Sequence, residues 1–173
     1  MLDINFYRKF DDVLDDIKKG KIQTREDCGK ALKSIMSDHP VVYNIETTNR
    51  CNMRCKMCPR TTMMTRKIED IDRETFLNVV DQIQPHSKED WALWKTYCEK
   101  KYGISEDDVA SENHFFLYII SKVIQLHGYG DPLLDKHMEE YVRILHEKGF
   151  ESYFSCNPAN IDFESTFKMM DAG

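Results

Sequence analysis

With 173 residues, 41% hydrophobic and 31% charged, the chain has the length and apolar content of one ordinary globular domain with a sizeable core. Its net charge of −6 is spread along the chain without the basic stripe that nucleic-acid binding needs, so nucleic acid is not a favoured partner. The longest apolar run, Phe115 to Ile120, falls far short of the roughly 20 residues of a membrane span. The start, Met1-Leu2-Asp3-Ile4-Asn5-Phe6, lacks the charged and apolar regions of a secretory signal, so a cytoplasmic location with reduced cysteines is expected.

Leu2, Phe6, Phe10, Val13, Leu14 and Ile17 recur at helical spacing as far as Gly20 and predict an amphipathic helix over 2–19. Thr24, with Asp27 three positions on, reads as the N-cap of a second helix. That helix is expected to bury Ala31, Leu32, Ile35 and Met36 before His39-Pro40 ends it. Residues 1–40 therefore form an expected N-terminal helical extension. Val41 to Thr47 is rich in β-branched residues and predicts a strand whose carboxyl end delivers the next loop. In α/β architectures that edge is where ligands bind.

The loop is Cys51-Asn52-Met53-Arg54-Cys55-Lys56-Met57-Cys58-Pro59-Arg60, which carries three of the six cysteines. Thiolates are the ligands that zinc and iron-sulfur clusters prefer. A structural zinc site is normally closed by four protein ligands, so three thiolates leave one metal corner open. The remaining Cys28, Cys98 and Cys156 are isolated, and no second Cys-x2-Cys exists to complete a zinc ribbon.

Cys-x3-Cys-x2-Cys resembles the signature of the radical S-adenosylmethionine enzymes. The resemblance implies that Cys51, Cys55 and Cys58 hold three irons of a 4Fe-4S cluster, whose fourth iron chelates S-adenosylmethionine. Met57 stands where the family usually places an aromatic beside the adenine.

After a polar loop containing Arg60, Arg66 and Lys67, a helix is expected from Asp72, burying Phe76, Leu77, Val80 and Ile83. Residues 86–121 read as a helical insertion: one helix from Ser87 with Trp91, Trp94 and Tyr97 on a single face, and a second from Ser105. Val123 to His127 predicts a second strand, ending in Gly128-Tyr129-Gly130-Asp131-Pro132. Two glycines one residue apart let backbone approach a ligand without Cβ obstruction. This stretch resembles the family's Gly-Gly-Glu-Pro motif, with Tyr129 for a glycine and Asp131 for the glutamate. The resemblance implies contact with the amino group of S-adenosylmethionine.

A helix over 135–148 is expected to bury Met138, Tyr141, Val142 and Leu145, leaving His137 and His146 on the surface. A third strand follows at 150–155. It ends at Cys156-Asn157-Pro158-Ala159-Asn160, where the family often has a Thr-Asn-Gly turn matched here by Asn157. A last helix from Asp162 presents Phe163, Phe167 and Met170.

Strands alternating with helices imply a parallel sheet with right-handed crossovers. The resemblance implies the N-terminal portion of a parallel (β/α)6 partial TIM barrel over 41–173, with three of its six units present and the chain a piece of a longer protein. It also implies reductive cleavage of S-adenosylmethionine to a 5'-deoxyadenosyl radical, fed by an electron donor such as a flavodoxin or ferredoxin. The substrate stays unassigned; Cys58-Pro59-Arg60 resembles members that modify peptides. The 173 residues alone are expected to turn over little. Two other readings stand beside this one: a non-catalytic iron-sulfur carrier, and a zinc-binding interaction module.

Overall fold

The computed structural model describes residues 1–173. In chain order its elements are α1 (Ile4–Lys18), α2 (Arg25–Ile35), α3 (Arg60–Met63), α4 (Arg73–Val80), α5 (Lys88–Tyr102), a π-helical segment (Phe115–Ile120), β1 (Val123–Gln125), α6 (Met138–Glu147), β2 (Glu151–Tyr153) and α7 (Phe163–Ala172). Short 3-10 turns at Pro132–Leu134 and Pro158–Asn160 lead into α6 and α7. The chain divides into two compact units. One comprises Leu2–Val41 and His86–Ser121; the other comprises Met1, Val42–Pro85 and Lys122–Gly173.

The first unit is helical. Asp3 caps α1 by accepting from the Phe6 amide at 2.9 Å, and the same carboxylate accepts from the Ser37 amide at 2.9 Å, which ties the end of α2 to the start of α1. Thr24 caps α2 and Ser87 caps α5, each accepting from the amide three residues on, as their sequence patterns predict. Gly103, at φ +68°, ends α5 in the left-handed conformation that a side chain would strain. The core joins Ile4, Trp94, Cys98, Ile104 and Tyr118. Inside it Trp94 Nε1 donates to the Leu117 carbonyl at 2.7 Å and Tyr118 Oη to the Ile104 carbonyl at 2.6 Å. Burial pushes the Cys98 thiol up to about 12, which keeps it protonated and inert.

The N-terminal extension and the insertion, separate in sequence, thus share one core. The helix expected from Ser105 does not form. Successive turns run through Asp108, Ser111 and His114, whose Nε2 donates to the Glu106 carbonyl at 2.6 Å. Asp, Ser and Asn in this stretch favour such local bonds over a helical ladder.

In the second unit β1 and β2 pair in parallel, Val123 opposite Glu151 and Gln125 opposite Tyr153, and they are the only two strands. The partial (β/α)6 barrel expected from the sequence is therefore not the fold. The expected first strand, 41–47, is reduced to one parallel bridge between Asn44 and Gln125, with the Ile45 amide donating to the Gln125 carbonyl at 2.8 Å. Beyond Ile45 the backbone turns its bonds elsewhere: the Thr47 carbonyl accepts from Ile71 at 2.7 Å and Thr48 bridges antiparallel to Asp70. The third expected strand is clipped at both ends. Phe150 donates back to the Leu145 carbonyl, and the Ser155 amide donates to Nδ1 of His127.

α6 buries Met138, Tyr141, Val142, Ile144 and Leu145. Tyr141 stacks on Phe76 of α4 with ring centroids 4.1 Å apart. Its hydroxyl donates to the Ile71 carbonyl at 3.0 Å. α7 opens at Asp162 as expected. It buries Met169 and Ala172, while Phe163, Phe167 and Met170 are 74%, 59% and 68% exposed. Apolar residues lie on more than one face of this helix, and periodicity alone does not select which face packs.

Two outcomes follow from this packing. Phe76→Ala should cost about 3–5 kcal/mol in urea denaturation, whereas Phe163→Ala should stay within about 0.5 kcal/mol; equal losses would overturn the orientation of α7. Asp135, 4% exposed, has a carboxylate oxygen without a hydrogen-bond partner, and burial raises its pKa against the opposing bond from the His137 amide. A carboxyl raised on folding stabilises at low pH, and that contribution is lost as pH rises through its folded value. Asp135→Asn should therefore gain on the wild type by about 1 kcal/mol between about pH 4 and pH 7. A pH-independent difference would show that Asp135 is not strained by its charge.

Candidate metal and cofactor site

The approach to the cysteines is buried. Thr47, Thr48 and Asn49 are 0%, 3% and 4% exposed. Thr48 Oγ1 donates to Asp70 at 2.6 Å and accepts from the Arg50 amide at 3.0 Å, and Arg50 Nε reaches the same Asp70 oxygen at 2.9 Å. Burial pushes Asp70 up, but the bonds from Thr48 and Arg50 outweigh it, so the carboxyl lies below its ordinary value and stays ionised. Asn49 holds the far side of the loop: its amide nitrogen donates to the Lys67 carbonyl and its carbonyl accepts from Arg60 Nε at 2.8 Å.

All six cysteines are free thiols. Cys51 and Cys58 are half-buried and Cys55 is exposed. The Met53 amide points at Cys51 Sγ at 3.4 Å, and the Cys58 amide donates to the Cys55 carbonyl at 3.0 Å, forming the turn that leads into α3. The three sulfurs do not form a group spaced to share a single metal ion. Met57, expected beside an adenine, is 93% exposed and packs on nothing.

Gly130 lies against this approach. A Cβ on it would fall 2.0 Å from the Thr48 carbonyl oxygen and 2.9 Å from that of Arg50. The Asp131 amide donates to the Arg50 carbonyl at 2.6 Å. The sequence expects Gly130 to make room for a ligand; the space is filled instead by the protein's own backbone, one residue ahead of Cys51. Gly128 plays a similar part toward the Glu46 side chain, whose Cγ would be 2.6 Å from an added Cβ. Glu46 in turn holds Arg66, both carboxylate oxygens at 2.9 Å, and the guanidinium sits 5.5 Å from the Tyr129 ring centre.

Asp131, 3% exposed, is a hub. One oxygen accepts from the Leu133 amide at 3.0 Å, which starts the Pro132 turn. The other accepts from the Asn157 amide at 3.0 Å and from Asn160 Nδ2 at 2.7 Å. Asn160 also exchanges amide bonds with Asn52 of the cysteine loop, at 2.7 and 3.1 Å. The loops after Asn44, β1 and β2 are thereby stitched into one polar network. Of the residues singled out in the sequence, Asp131 and Asn157 are bonded in it, and Gly130 packs against the backbone it joins. Asn52, Asn160, Thr48 and Arg50 were not foreseen, although paired asparagines flanking Pro158-Ala159 were a usable signal. Cys156 sits beside this network, its thiol raised by burial and by the Asp131 charge.

Gly130→Ala should accordingly cost about 3 kcal/mol and disorder the cysteine loop with it, whereas Gly29→Ala in α2, with open space around it, should be neutral or mildly stabilising. Urea denaturation reads both, and equal effects would show that the close approach is not a constraint. Compared with protein-family models, with curated proteins and with solved structures, the chain matches none of them.

Proposed function

We propose that this chain is a radical S-adenosylmethionine enzyme whose Cys51, Cys55 and Cys58 hold a 4Fe-4S cluster. The observation that carries the reading is the contact between the cysteine approach and the Gly128–Pro132 turn. Two motifs that the resemblance assigns to one cofactor lie backbone to backbone at Gly130 and Arg50, and are bonded again through Asn52, Asn160 and Asp131.

The donor set fits the group. Three free thiols lie on an accessible loop, and in a cluster each thiolate binds a different iron, so the sulfurs need not converge on one point as the ligands of a zinc ion must. When bound, the cluster supplies one-electron reduction of S-adenosylmethionine to methionine and a 5'-deoxyadenosyl radical that takes hydrogen from substrate. The chain's own part is to bind, orient and shield. Cys51 is fixed by the buried Thr47–Asn49 segment behind it. The Gly128 to Pro132 turn and Asn157 would border the cofactor, and Asp131, bonded to three donors, keeps its own part of the turn in place. Arg66, held by Glu46, covers the Tyr129 ring.

No helix is long and apolar enough to cross a membrane. A reducing, cytoplasmic setting, an electron donor such as a flavodoxin or ferredoxin, and an unassigned substrate complete the proposal; Cys58-Pro59-Arg60 resembles members that modify peptides or proteins.

Anaerobic reconstitution followed by iron, sulfide and zinc analysis tests it. The wild-type chain should take up close to four irons per chain. Replacing Cys51, Cys55 or Cys58 with Ala should abolish uptake, while Cys98→Ala should leave it intact. After reduction with dithionite, S-adenosylmethionine should then change the cluster's electron paramagnetic resonance spectrum. Iron without that change would favour the iron-sulfur carrier; zinc in place of iron would favour the interaction module; iron retained after Cys55→Ala would sink all cluster readings.

A further inference from the structure

The net charge of −6 conceals a local reversal. Residues 50–67 hold six of the chain's 24 Lys and Arg residues and none of its 30 Asp and Glu residues. Outside carboxylates answer only some of these charges: Arg50 pairs with Asp70, Arg66 with Glu46 and Lys67 with Glu69. Arg60 is spent on a neutral carbonyl, that of Asn49, and Arg54 and Lys56 make no ion pair. Three of these arginines, Arg54, Arg60 and Arg66, line a single pocket of about 460 Å³ together with Cys51. That volume is ordinary for a small-molecule site.

No carboxylate lines this pocket; beside the arginines, the polar Asn52 and Thr61 and the apolar Met53, Met64 and Ile68 form its walls. Guanidinium groups recognise carboxylate and phosphate through charge-assisted, often bidentate bonds. The apolar walls add what a bare inorganic ion would not use: Met53 and Ile68 are 45% and 49% exposed and lose that exposure only if something apolar covers them. The segment contains no aromatic side chain on which a nucleobase could stack.

We propose that this pocket binds an organic anion, a carboxylate or phosphate group carried on an apolar body, beside the first cysteine. As an anion site it stands on its lining side chains; its assignment to the enzyme's substrate rests on the radical reading above. Arg54 is the specificity-determining residue, because its guanidinium is the one in the pocket with no partner in the protein, whereas Arg60 and Arg66 are held in place by Asn49 and Glu46.

Isothermal titration of the reconstituted chain with hexanoate, hexyl phosphate, hexanol and inorganic phosphate tests the proposal. At least one organic anion should bind about tenfold more tightly than both hexanol and inorganic phosphate, and the tighter of the two names the head group. Arg54→Gln should weaken it about tenfold, the loss of one charge-assisted bond, while Lys30→Gln on α2 should change nothing. Met64→Ala should weaken the organic anion and leave inorganic phosphate unaffected. Hexanol binding as well as hexanoate, inorganic phosphate binding as well as hexyl phosphate, or an unchanged Arg54→Gln would each overturn the site. Iron is measured on the same samples. Binding without iron leaves the pocket standing and removes its radical context; iron without binding removes the pocket alone.

Discussion

The arrangement of the loops around the cysteines depends on one close approach, the hydrogen of Gly130 against the carbonyl oxygens of Thr48 and Arg50. With any side chain at position 130 the turn after β1 would have to retreat, and the bond from the Asp131 amide to the Arg50 carbonyl would go with it. Asp131 would then no longer hold Asn157 and Asn160, and Asn160 would lose its fixed position opposite Asn52. A short sheet of two three-residue strands cannot by itself register three loops. The polar network compensates, because buried hydrogen bonds to a carboxylate are among the stronger ones and their loss leaves a charge unsatisfied.

Much of the local structure was legible in the sequence, because capping chemistry is local. Thr24, Asp72, Ser87 and Asp162 each cap the helix expected of them. Phe76, Tyr141 and Leu145 are buried as their spacing predicts. What failed was long-range. Val41 to Thr47 has strand composition throughout, but its hydrogen bonds are divided between Gln125, at Tyr43 and Ile45, and Ile71, at Thr47, and no propensity encodes that division. The barrel expectation came from a resemblance in two motifs and from strand counting, and the strands proved too short to build it. In α7 the same ambiguity appears at helical spacing, since Met169 and Phe167 belong to different stripes of one sequence.

The helical unit shows how chain order can mislead about organisation. Residues 1–40 and 86–121 each read as an appendage, one ahead of the site and one interrupting the units around it. Neither has a complete core alone: Ile4 comes from the first stretch, and Trp94, Cys98, Ile104 and Tyr118 come from the second. The hydrogen bonds from Trp94 and Tyr118 end on backbone carbonyls within the second stretch, which lets both rings be buried without an orphaned polar atom. Insertions that seem independent in sequence can therefore be two halves of one hydrophobic cluster.

The cysteine loop itself combines a fixed root with an open tip. Thr47 to Asn49 are buried and bonded on every side, while Asn52 through Met57 are exposed, and of these Asn52 alone is held by side-chain bonds to the network. A loop so built can re-orient its thiols around a metal centre at small cost, because few packing contacts must be broken, yet it cannot carry them away from the turn at Gly130. The uncompensated cations at Arg54 and Lys56 belong to the same open tip. Closely spaced positive charges disfavour its collapse onto itself, so charge and exposure act together to keep the loop open.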